Sequence, residues 1–239
     1  MQRYTPLANH VRQMLFENEG EWRFSGSGTC FLLRHGAANY VVTAKHVVNG
    51  YSPAQIRVMV NPDLPTGDVN CFPLRQPFTF ARYGDEDFED FVVAPILDNN
   101  IDQSNAGLFF PYESVSGCHF SVTATNRIVV AGYPDENQEV DYEREQISGQ
   151  ATLALASDIG LRGADLMYEL TLGSDCGLSS FSGFSGSPVF SHSADSTVRV
   201  IGVVLRGGAQ CRKLRFLDIR AVVGGIEHHT RIQNREGGQ

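Results

Sequence analysis

The run Gly183-Phe184-Ser185-Gly186-Ser187-Pro188-Val189 sets one serine between two glycines, with a proline shortly after the second. Glycine tolerates the positive φ angles that let successive backbone N–H groups converge on one point. A nucleophilic serine needs that convergence, because its own N–H and a neighbour's must meet the oxyanion that forms on an attacked carbonyl. The same letters also describe an ordinary Gly/Ser surface turn, so the run carries weight only in company. Upstream, Tyr40-Val41-Val42-Thr43-Ala44-Lys45-His46 is an apolar β-type run ending on a histidine. Between the two, Asp90-Phe91-Val92-Val93-Ala94 opens a second apolar run on a carboxylate.

Around these three stretches the chain reads as β-rich. Cys30 to Leu33, Tyr40 to Thr43, Ile56 to Val60, Phe78 to Phe80 and Phe91 to Ala94 are strand candidates, separated by turn residues. A second set follows a connection over about Asn99 to Gly117. It comprises Arg127 to Gly132, Gln146 to Leu155, Leu166 to Leu172, Pro188 to Phe190, Val198 to Leu205 and Leu214 to Leu217. Short strands without intervening helical pattern predict an antiparallel barrel or sandwich. At the start, Thr5-Pro6 has the form of a helix N-cap and first turn, with Leu7, Val11, Met14 and Leu15 at helical spacing. That predicts an N-terminal helix over residues 1–20, a strap over a seam or, on a second reading, a partner-docking segment. Ile219, Val222, Val223 and Ile226 predict a C-terminal helix from about Asp218, weakened by Gly224-Gly225.

Composition narrows the function classes. The chain has 239 residues, 42% hydrophobic and 19% charged, as a soluble globular protein does. Its net charge of −8 and the lack of any long Lys/Arg run argue against a nucleic-acid partner. No apolar run suits a secretory leader or a membrane span. Five widely spaced cysteines without CxxC pairing fit a reducing compartment, give no metal-ligand spacing and lead to the expectation of a cytoplasmic protein without cofactor or metal.

Taken in order, the histidine, aspartate and serine stretches resemble the chymotrypsin/trypsin-like serine peptidases. The counterparts of that family's "VVTAAH" strand end, Asp-apolar run and "GDSGGP" loop are Val41 to His46, Asp90 to Val93 and Gly183 to Pro188. Ala131-Gly132-Tyr133-Pro134 is similar to a segment of HtrA-like members, although no PDZ-like segment follows. The resemblance implies two six-stranded antiparallel β-barrels, over 21–112 and 113–217, with a C-terminal helix and tail over 218–239. It implies Ser185 as nucleophile, His46 as proton carrier and Asp90 as its orienting carboxylate, with the N–H groups of Gly183 and Ser185 as oxyanion hole. Ser179 then falls at the floor of a side-chain pocket and Leu205, Arg206 and Gly207 on its wall. An uncharged floor argues against a Lys or Arg preference, and Leu214 falls where larger-pocket members have a glycine, which implies a shallow pocket for small or aliphatic side chains, or one that takes an acidic residue drawn by Arg206.

Each site residue has a rival or a plainer reading. Asp85, Glu86, Asp87 and Glu89 surround Asp90 but read as a solvated loop, whereas Asp90 touches the apolar run. Ser187 is the rival nucleophile, standing where the family has glycine. His35, His119, His192, His228 and His229 sit in no comparable context. The chain also departs from the family. Phe184 replaces the aspartate that pairs with a freed N-terminus in zymogen-activated members, so the oxyanion loop must be held by packing of Phe181 and Phe184 or by a partner. Val47 replaces the cysteine after the catalytic histidine. The functions in competition are an active serine endopeptidase on polypeptide substrates, the same enzyme switched on by a regulatory protein, and a silent binding or scaffold protein.

Overall fold

A computed structural model describes residues 2–20, 22–61, 70–79, 90–97, 101, 105–112, 127–141, 143, 146–161, 166–173 and 177–236. The acidic loop before Asp90, His119, Cys118, Cys176 and the barrel boundary at 112–113 lie wholly or partly outside them.

The first half is a curled six-stranded sheet. It contains β1 (Val11–Glu17), β2 (Phe24–His35), β3 (Ala38–Ala44), β4 (Ile56–Arg57), β5 (Phe91–Pro95) and β6 (Phe110–Pro111). The order is β4-β1-β2-β3-β5, with β6 lying parallel on β2. The other pairings are antiparallel. Isolated bridges Met59–Cys71, Leu74–Ile96 and Phe78–Val93 extend the curl.

The second half closes. A small antiparallel hairpin, β8 (Gln138–Asp141) and β9 (Gln146–Gly149), stands outside the barrel. The barrel strands are β7 (Arg127–Gly132), β10 (Thr152–Leu161), β11 (Met167–Leu172), β12 (Pro188–His192), β13 (Val198–Gly208) and β14 (Lys213–Asp218). They form a barrel in the order β10-β11-β14-β13-β12-β7, with every pairing antiparallel. Closure removes the unpaired edges that an open sheet would leave.

The N-terminus differs from expectation. Only Gln2–His10 is helical, as a 3-10 helix, and Val11–Glu17 is a strand paired with β2 and β4. Val11, Arg12, Gln13, Met14, Leu15 and Phe16 are all buried, on both faces. A strand covered on both sides shows no polar alternation, so its apolar residues fell at helical spacing by coincidence. Arg12 is buried because its guanidinium donates to the carbonyls of Asn9, Val11, Met59 and Val60. It thereby pins the helix end and the 59–60 backbone to one strand.

The C-terminal helix α2 spans Ile219–Glu236. Buried Asp218 caps it, its Oδ1 accepting the Arg220 N–H at 2.8 Å while the Arg220 guanidinium closes on both carboxylate oxygens. Ile219, Val222, Val223 and Ile226 enter a core shared with Tyr40, Phe91 and Val93 of the first half and Val203 and Leu217 of the second. The helix therefore straps the two halves together. No described helix is long and apolar enough to cross a membrane.

Candidate active site

Strand register builds the first part of the site. Ala44 pairs with Phe91 at the end of β3 and the start of β5. The Lys45 N–H donates to the Asp90 carbonyl at 3.0 Å as the chain turns into α1 (Lys45–Val48). His46 then lies over the Asp90 side chain, whose Oδ1 accepts the His46 backbone N–H at 3.0 Å and whose Oδ2 lies 2.7 Å from Nδ1. A carboxylate oxygen accepts, so Nδ1 carries the proton of this contact, and in the neutral imidazole Nε2 then holds the lone pair. Asp90 is 10% exposed and His46 45%, which leaves the basic nitrogen's ring open to the cleft.

The serine loop is fixed by what its glycines allow. Gly186 has φ +86, and a Cβ there would lie 1.9 Å from the Thr29 carbonyl oxygen. Gly183 has φ +90, and a Cβ there would lie 2.3 Å from the Tyr133 carbonyl oxygen and 2.7 Å from the Asp135 nitrogen. Neither position admits a side chain. Thr29, fully buried on β2, ties the loop to the first half. Its N–H donates to Ser185 O at 2.9 Å and its hydroxyl to Gly183 O at 2.6 Å, while the hydroxyl oxygen accepts the Tyr133 N–H at 2.9 Å. Phe184 is fully buried with Phe181 edge-on at 6.1 Å, so packing takes the place of a buried ion pair behind the loop.

The N–H groups of Gly183 and Ser185 have no protein acceptor among the described residues. The Ser182 carbonyl accepts the Asp135 N–H at 3.0 Å. In a trans peptide the C=O and the following N–H point to opposite sides, so this bond turns the Gly183 N–H away from the 135 turn. The Ser185 hydroxyl donates to the Leu205 carbonyl at 3.3 Å. The next residue, Arg206, brings Nε to 3.9 Å from Asp90 Oδ2, so one short piece of β13 touches both Ser185 and Asp90. Ser185 and Asp90 thus lie at neighbouring residues of one strand, with His46 held on Asp90.

The remaining sequence expectations divide. Gly207 faces Leu214 across the β13–β14 pair, and a Cβ on Gly207 would lie 2.3 Å from Leu214 Cδ2 and 3.4 Å from Phe181 Cβ. Leu214 is fully buried, so its side chain fills the space behind the expected pocket wall. Ser179 is exposed, and its N–H and hydroxyl donate to Glu136. Ser187 is fully buried, with its hydroxyl unpaired and against the Gly132 backbone, where no substrate reaches it. His35 lies 3.6 Å from Glu227, and His229 stacks on Phe78 at 3.9 Å. Thr29, Asp135 and Glu136, which hold the loop, carry no motif that would single them out in a sequence.

A closed barrel and a curled partner sheet, with a histidine–aspartate pair on one and a serine loop on the other, is the architecture of a trypsin-like peptidase. The family model described as the trypsin-like peptidase domain matches residues 28–203, and the chain belongs to that family. Among solved structures it is similar to the scabies mite inactivated protease paralogue S-I1, with a TM-score of 0.57 and 15% identity. That similarity covers 93% of this chain and 94% of the other. At this identity the likeness speaks for the fold. No curated protein sequence matches the chain.

Proposed function

We propose that the protein is a serine endopeptidase acting through Ser185, His46 and Asp90. The observation that carries this reading is the Nδ1–Oδ2 contact of 2.7 Å, which fixes the tautomer that leaves Nε2 basic. In the reaction the Ser185 hydroxyl turns from the Leu205 carbonyl to Nε2 by rotation about its Cα–Cβ bond. Oγ then forms a bond to the scissile carbonyl carbon, its proton passes to Nε2, and Asp90 stabilises the imidazolium. The carbonyl oxygen takes the electron pair and is met by the Gly183 and Ser185 N–H groups, each such donor being worth about 2.7–4 kcal/mol in comparable sites. Collapse expels the amine with the proton from Nε2, leaving an acyl-serine. Water repeats the sequence and releases the acid.

Leu214 behind Gly207 supports a shallow subsite for a small or aliphatic side chain at the cleavage point. The wide spacing of the cysteines, without CxxC pairing, supports a cytoplasmic setting. The second reading, a silent binding protein or one awaiting a regulatory partner, draws on the Ser185 hydroxyl resting on Leu205 rather than on the imidazole. A cleavage screen with unstructured polypeptides separates the two. Wild type should cleave and Ser185→Ala should not. Asp90→Asn should lower kcat by about 10⁴, because the amide no longer fixes the tautomer. No cleavage by wild type across the screen supports the silent reading instead.

A further inference from the structure

The turn Asp135–Asn137 lies against the serine loop at two points. Asp135 holds Ser182 through backbone and side chain alike: its N–H donates to Ser182 O at 3.0 Å, and the Ser182 hydroxyl donates to its Oδ2. Its Oδ1 accepts from Gln138 Nε2 at 2.8 Å, which fixes the carboxylate plane. Glu136 holds the loop's entry, its carboxylate accepting the Ser179 N–H at 3.1 Å and 3.3 Å and the Ser179 hydroxyl. The Ser179 hydroxyl bond is the main reason the Glu136 carboxyl lies below its ordinary value. Between the two anchors the loop has little freedom. The Phe184 N–H closes onto Phe181 O at 3.1 Å, and the Ser182 N–H onto Ser180 Oγ at 3.1 Å. The absence of a side chain on Gly183 lets the 133–135 backbone come this near.

We infer that Asp135 and Glu136 are positioning residues that clasp the 179–183 loop and hold the Gly183 N–H toward the cleft, so that the oxyanion hole is formed without a cleaved N-terminus or a partner. The inference rests on the peptidase reading for its chemical meaning, not for its geometry. The peptide plane between Ser182 and Gly183 has two orientations, related by a flip. In one the N–H faces the cleft; in the other the carbonyl does, and an oxyanion would meet a like partial charge. The Asp135 N–H selects the first by engaging Ser182 O, and the two carboxylates hold that N–H against the loop. The backbone bond survives side-chain truncation, so each carboxylate acts by restricting the loop rather than by touching substrate.

The test uses the full chain and its Glu136→Ala, Glu136→Gln and Asp135→Ala variants. Glutamine keeps a carbonyl for the Ser179 N–H and an amide for its hydroxyl, and so serves as the rescue. Three quantities are read: kcat and KM on a peptide that wild type cleaves, affinity for a peptide boronate, and ¹⁵N relaxation dispersion of the Gly183 and Ser185 amides. The expected result is a fall in kcat of about tenfold or more for both alanine variants with KM unchanged. Boronate affinity should fall by the same factor, exchange should appear at the two amides, and Glu136→Gln should return close to wild type. Unchanged kcat and quiet amides in both alanine variants would overturn the clasp. So would a general loss, with KM and thermal midpoint moving together and no rescue by glutamine. If wild type itself fails to cleave, the peptidase reading falls, and the amide relaxation still decides the clasp.

Discussion

Gly186 shows how closely one residue can tie local backbone to chemistry. Its φ of +86 and the 1.9 Å from a would-be Cβ to the Thr29 carbonyl oxygen combine conformational strain with a backbone clash. Thr43 Oγ1 donates to that same carbonyl at 2.6 Å, so it cannot simply swing away. Gly186→Ala should therefore cost about 3 kcal/mol of stability, measured by denaturant unfolding. A loss within experimental error of zero would mean that the loop and β2 are not locked as described. This glycine was readable in the sequence as part of a motif, but its reason was not. The reason lies in Thr29, a buried threonine on another strand whose role no local pattern announces.

At the scale of elements, the strands that lead into His46 and out of Asp90 could be read directly, because each is an apolar run with a polar residue at one end. The strand Val11–Glu17 could not, because burial on both faces erased the alternation that marks a strand. Its burial gives the N-terminus a different meaning from a detachable strap. Val11, Met14, Leu15 and Phe16 are each essentially fully buried. At roughly 1.5–3 kcal/mol per such side chain, their removal is of the order of a domain's whole stability. Deletion of residues 1–17 should abolish cooperative unfolding, followed by circular dichroism. A truncated chain that melts like the intact one would contradict the strand assignment.

The segment just before that strand carries a pH signature. His10 Nδ1 donates to the Leu108 carbonyl at 2.8 Å, and its ring stands edge-on to Phe110 at 5.1 Å. Burial lowers its pKa, against the opposing pull of the Leu108 bond. Because the folded value is depressed, the unfolded chain takes up the proton first. The contribution is complete above the unfolded value of about 6.5 and is lost as pH falls through the lowered folded one. His10→Asn keeps a donor near Leu108 without titrating. Thermal midpoints taken from about pH 8 down to about pH 5 should fall more steeply for wild type than for the variant; parallel curves would contradict this.

Across the whole molecule, the proposed chemistry depends on two halves that neither sequence half specifies alone. The imidazole and carboxylate sit on the curled sheet, the hydroxyl and its N–H groups on the closed barrel, and Thr29, Arg206 and α2 bridge them. The serine loop and the histidine were legible because each stands in a short motif that the sequence itself displays. The surface placement of Ser179 and the grip of Asp135 and Glu136 were not, since each depends on which segments the fold brings together. Reaction with a fluorophosphonate, read by intact-protein mass spectrometry and peptide mapping, tests the central claim most directly. Wild type should gain one adduct on Ser185, lost in Ser185→Ala and strongly slowed in His46→Ala. A wild-type protein that stays unlabelled, or is labelled at Ser187 or elsewhere, would contradict the account.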